Sequence, residues 1–165
     1  MERDAYEQKV LDDVARIGWC TFWVGDNPQA PPFVYTVGIM ATLGHPEIIV
    51  FGLERRVLGG LADRVAAEIK NGRSLRDPVI CNDLVPGLPL AFRRVHPSYH
   101  TVYLGYAMWH RRYCGQVGTL EAVQCFCPDG RGLFPWDDGR DPAGARFQPR
   151  LDLAAPWAER NGGTK

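Results

Sequence analysis

Four histidines, five cysteines and an Arg-Arg pair carry most of the reactive chemistry in this chain of 165 residues. An imidazole titrates near neutrality, so His45, between Gly44 and Pro46, and His100 are the candidates for a general acid or base. His96 and His100 stand four apart, a spacing that can hold a metal on one helix face. Pro97, however, is a natural first helical residue, which leaves His96 outside the helix, and no carboxylate in the motif supplies a base. No metal is therefore expected. Cys125 and Cys127 share one side of an extended strand, as soft ligands or an oxidisable pair. Cys-x-Cys lacks the loop that brings two sulfurs onto one zinc, and buried thiols commonly act as small hydrophobes.

Arg93 and Arg94 end an apolar segment just before the expected helix start, where guanidinium groups and backbone N–H groups can hold an anion together. In an extended strand they point to opposite faces, so only one is expected to line a given pocket. Glycine-rich dinucleotide and P-loop motifs are absent, which argues against those modes of nucleotide binding. Tyr99, Tyr103, Tyr106 and Trp109 recur near helical spacing, the pattern of a packed aromatic face. From Cys127 to Asp138 the chain reads Cys-Pro-Asp-Gly-Arg-Gly-Leu-Phe-Pro-Trp-Asp-Asp. Turn formers open it, and Phe134 and Trp136 bracket Pro135. Such a loop is first an aromatic latch on the core and second the wall of a pocket. The ligand-binding set expected for an aromatic-lined cleft is Tyr35, Thr36, Arg93, Tyr103 and Trp136, with His45 or His100 as acid or base.

The elements that must position these residues read as one α+β domain over 1–160, with a frayed tail at 161–165. Tyr6, Val10, Leu11, Val14 and Ile17 make an amphipathic helix that Gly18 stops. Strands are expected at Trp19–Val24 and Phe33–Ile39, joined through a turn at 25–28, and at the apolar run Ile48–Leu53. Leu58, Leu61, Val65 and Ile69 stripe a second helix ending at Asn71-Gly72. A short strand within Arg73–Cys81, another at Leu88–Val95, a helix from Pro97 to about His110 and a strand at Leu120–Cys127 complete the pattern. The sum is five to six mostly antiparallel strands, open or barrel-like, with two to three helices.

Nineteen basic residues balance nineteen acidic ones, so no global field draws nucleic acid or a membrane surface. No apolar run reaches the roughly 20 residues of a membrane span, and the charged N-terminus does not read as a signal peptide, so the expectation is a cytoplasmic protein with reduced thiols.

Pro31-Pro32-Phe33-Val34-Tyr35-Thr36-Val37-Gly38-Ile39 and Gly44–Leu53 resemble the opening signature of a bacterial family, domain of unknown function 4262. Tyr103–Trp109, Ala122-Val123-Gln124 and Pro128–Asp137 are similar to that family's later segments, in order, across about Ile17 to Leu153. The resemblance departs at Cys127, where a Trp is more usual, and at Pro97–His100, which is less acidic. It implies a bacterial α+β domain and no catalytic residues. Function is thus read from the residues: a small-molecule or cofactor-binding protein, with an enzymatic role if the cleft holds a base. The layout from Phe33 to Lys70 loosely resembles flavin-reductase split barrels, an analogy that makes flavin the cofactor to test. The alternatives are a non-catalytic interaction module that forms a homodimer, and a metal- or thiol-dependent enzyme.

Overall fold

A left-handed glycine ends the first helix where the sequence places its stop. In the computed structural model, which describes residues 3–160 apart from 26, 29, 53 and 146, α1 spans Ala5–Ile17 and closes on Gly18 with φ 102°. Asp4 caps its start by accepting from the Tyr6 N–H. Asp26 of the first turn, Leu53 of the apolar run and the tail from 161 lie outside the described residues.

Six strands follow: β1 (Cys20–Val24), β2 (Phe33–Val37), β3 (Glu47–Phe51), β4 (Val79–Val85), β5 (Leu88–Arg94) and β6 (Ala122–Phe126). They form one sheet in the order β1-β2-β3-β6-β5-β4. Every neighbouring pair is antiparallel except β3 with β6. The sheet is open, with β1 and β4 at its edges, so it is not a barrel and the split-barrel layout is not found. Closure would need those edges to pair, and α1 and α3 (Arg55–Lys70) instead flank the β1 side on opposite faces.

β3 and β6 lie at the centre and bury every residue, which is why Ile48–Phe51 reads as a continuous apolar run and Ala122–Phe126 is apolar but for Gln124. Leu58, Ala62, Val65 and Ala66 of α3 cover one face with Val34, Ile48, Val50, Val123 and Cys125. Val10 of α1 and Leu104 and Ala107 cover the other with Tyr35, Val37, Ile49 and Phe51.

Seven α-helices occur among the described residues, not two to three. Only α1, α3 and α5 (Gly105–Tyr113) are long; the rest, α2 (Ile39–Leu43), α4 (His100–Tyr103), α6 (Pro142–Ala145) and α7 (Pro156–Arg160), are one-turn pieces. Two have clear causes. The expected strand to Ile39 stops at Val37 because Gly38 turns left-handed at φ 107°, where a Cβ would stand 2.6 Å from Val14 Cγ2. The expected helix from Pro97 to His110 breaks at Leu104, with φ −118° and ψ 37°, and begins as a 3-10 turn at Pro97–Tyr99. Its restart at α5 is fixed by Tyr35, whose hydroxyl accepts the Tyr106 N–H at 3.2 Å in place of a helical carbonyl.

Candidate functional site

β4 begins at Val79 opposite Phe92, two residues short of the end of β5. Arg93 and Arg94 pair with Gln124 and Val123 on one side and, among the described residues, have no strand on the other. The resulting notch is a groove of about 630 Å³ lined by Asp77, Pro78, Arg93, Arg94, His96, Pro97 and Asp152. Both arginines therefore line one groove, contrary to the expectation that only one would: the space opens at a strand edge, which side chains from both faces can reach. Pro78 and Arg93 also belong to an adjoining recess of about 230 Å³ with Val79, Ile80, Phe92 and Trp136.

Within the groove the charges are unequally occupied. Asp152 takes a paired grip from Arg150, at 2.6 and 2.7 Å, and a single bond from Arg93 at 3.2 Å. Burial works to raise the Asp152 carboxyl, but the two arginines outweigh it and hold the group below its ordinary range. Arg94 is exposed and makes no side-chain hydrogen bond or ion pair among the described residues. The His96 Nδ1 accepts from the Ser98 N–H at 3.2 Å and lies 2.8 Å from Ser98 Oγ, so Nε2 is the nitrogen left to the groove.

Trp136 joins the groove to the closing loop. Its ring stacks on Phe134 at 5.2 Å and 7°, meets Phe126 edge-on at 5.0 Å, and lies 3.5 Å under the Arg93 guanidinium. Asp129 Oδ1 accepts the Arg131 and Leu133 N–H groups, and Asp137 accepts that of Phe134, so the turn residues hold the loop shut. Backbone donors, led by Leu133, keep Asp129 below its usual carboxylate value. The loop is thus a latch whose tryptophan also lines a recess.

Of the expected site residues, Arg93 and Trp136 come together and the others stand elsewhere. Tyr103 packs edge-on to Phe33 and Phe51 at 5.2 and 5.3 Å. Tyr35 is buried under α5, and burial pushes its phenol up to about 12. Thr36 donates to Glu47 at 2.7 Å and accepts the Ile48 N–H. His45 has both nitrogens engaged: Nε2 accepts from the Leu75 N–H at 2.9 Å, which leaves Nδ1 to donate to the Pro46 carbonyl at 2.8 Å. His100 is buried with its Nε2 unpartnered, and desolvation, helped by the nearby charges of Arg94 and His96, lowers its pKa despite a backbone bond to Val95. The metal- or thiol-based alternatives find no cluster of three ligating side chains among the described residues, and Cys125 and Cys127 are buried.

Two acids escaped the sequence reading. Asp152 lies in a tail without periodic pattern. Glu47, fully buried at the head of β3, accepts from Thr36 Oγ1 at 2.7 Å, the Gly38 N–H at 2.9 Å and the Met40 N–H at 3.2 Å. It thereby caps α2, whose own N-cap, Gly38, has no side chain to offer. Desolvation raises its carboxyl to about 7, against those hydrogen bonds, and no described lysine or arginine pairs with it. The one sequence signal was an acid opening an otherwise unbroken apolar run.

The last link is the segment after the loop. Gln148 exchanges two hydrogen bonds with the Cys127 backbone at 2.8 and 2.9 Å. Gln124, from inside β6, donates to the Pro149 carbonyl at 2.7 Å and accepts the Leu151 N–H at 3.1 Å. The strap so formed delivers Arg150 and Asp152 to Arg93.

Fold and site together define an open-sheet α+β protein with a polar groove at the notch of its β4 edge. A family model for domain of unknown function (DUF4262) matches residues 13–141, and the chain belongs to that family. Comparison with curated proteins and with solved structures gives no match. No helix among the described residues is long and apolar enough to cross a membrane.

Proposed function

We propose that the protein binds a small organic molecule through an acidic group, in the groove at the end of β5. The observation that carries this is the exposure of Arg93 and Arg94 to one space, with Arg94 in no hydrogen bond or ion pair among the described residues. An oxyanion there gains a guanidinium fork without breaking an existing pair. Trp136, held by the latch, supplies a rigid wall beside the charge, the mixed apolar and polar lining typical of ligand sites. Asp77, Arg93, Arg94, His96 and Asp152 supply the groove's polar side chains, a set that supports binding of a charged group.

Calorimetric titration with acetate, benzoate and inorganic phosphate tests the proposal. At least one of them should bind, and Arg94→Ala, an exposed substitution that leaves the fold intact, should weaken it by about tenfold, in keeping with the loss of a charge-assisted bond. Failure of all three to bind the wild-type protein, or equal affinity in Arg94→Ala, would sink it.

A further inference from the structure

Three features of the groove narrow the chemical class of its ligand. The polar groove and the recess beside it adjoin, with Pro78 and Arg93 lining both, so a molecule of modest size that reaches over these two side chains touches both. The recess is walled by Pro78, Val79, Ile80 and Trp136, and Ile80 keeps 57% of its surface exposed on the edge strand. A large apolar side chain at the rim of a charged groove gains by being covered, and a ligand's apolar body can do that. The charges limit the head group. Asp77, which no described side chain pairs, lines the same space as Arg93 and Arg94, so the second charge of a dianion meets that carboxylate, while a monoanion needs only the arginines. A cation finds only Asp77 open, because Asp152 is held by Arg150 and Arg93, and it must approach Arg94.

We infer that the ligand is an amphipathic monocarboxylate, with its carboxylate on Arg94 and Arg93 and its apolar body in the recess against Ile80, Pro78 and Trp136. The inference rests on the anion-binding reading above and adds the monovalent head and the apolar body. Covering about 60 Å² of apolar surface is worth roughly tenfold in affinity, which sets the size of the expected effect.

The test compares four probes, acetate, 3-phenylpropionate, phenyl phosphate and phenethylamine, by calorimetry on the wild-type protein, Ile80→Ser and Arg94→Ala. Expected is a wild-type affinity for 3-phenylpropionate about tenfold above acetate and above phenyl phosphate, with no binding of phenethylamine. Ile80→Ser, at an exposed position, should bring 3-phenylpropionate toward acetate while leaving acetate itself unchanged, and Arg94→Ala should weaken both carboxylates. Equal binding of acetate and 3-phenylpropionate, or tighter binding of phenyl phosphate, overturns the inference and leaves the anion site standing. Binding of phenethylamine alone overturns both.

Discussion

Glu47→Gln should remove a pH dependence of stability that the wild-type fold carries. The Glu47 carboxyl is fully buried and its value rises from 4.5 to about 7, so the folded protein holds this proton to a higher pH than the unfolded chain. Its contribution to stability is therefore complete below about 4.5 and is lost as the pH climbs through about 7. That interval corresponds to about 3 kcal/mol, most of which falls between pH 5 and 8. Glutamine keeps one oxygen for the Gly38 and Met40 N–H groups and does not titrate, but it turns a donor toward the Thr36 hydroxyl. A mismatch of that kind costs about 1 kcal/mol at low pH, where wild-type Glu47 is also neutral. The variant should thus be the less stable protein at pH 5 and the more stable one at pH 8. His45, His100 and His110, all lowered by burial, erode stability in the opposite direction, as the pH falls, and both proteins share them. The informative quantity is the difference between the two urea-unfolding free energies, measured at pH 5, 6, 7 and 8. A difference that stays constant across the range would refute the assignment of a buried proton to Glu47.

Two further outcomes can be checked directly. Trp136→Ala removes the ring that stacks on Phe134 and meets Phe126 edge-on, and should cost about 3 kcal/mol in urea unfolding, whereas a loss below about 1 kcal/mol would show that the loop does not latch through this residue. Iodoacetamide on the native protein should modify Cys114 first and Cys81 more slowly, while Cys20, Cys125 and Cys127 react only after denaturation; early labelling of Cys127, read by peptide mass, would contradict its burial.

Where a helix or strand is made by its own local pattern, the sequence located it: α1 from Tyr6 to Ile17 with its Gly18 stop, α3 from its leucine and valine stripe, β3 from its apolar run, and β6 within the core strand expected at Leu120–Cys127. It failed where the deciding partner is distant along the chain. Gly38 ends β2 because Val14 and Glu47 leave room for no side chain and supply the acceptor, and neither is a neighbour in sequence. The break at Leu104 depends likewise on Tyr35. For the site, Arg93 and Trp136 were recognisable from residue type beside turn and strand ends. Tyr35, Thr36 and Tyr103 carry the same polar atoms, but the fold satisfies them in the interior, and composition does not distinguish a satisfied hydroxyl from an available one. The notch itself depends on how far β4 extends along β5, a register that alternation alone does not fix.

The glutamine strap has a bearing on what counts as the unit of folding. The family-matched segment stops at residue 141, yet the amides that Gln124 presents from the centre of the sheet, and the Cys127 backbone, find their partners at 148, 149 and 151. A chain ended at the family boundary would lose all four of these hydrogen bonds and uncover the buried Gln124 side chain. The hydrogen-bonded unit built on β6 therefore extends past the family-matched segment, as far as residue 151.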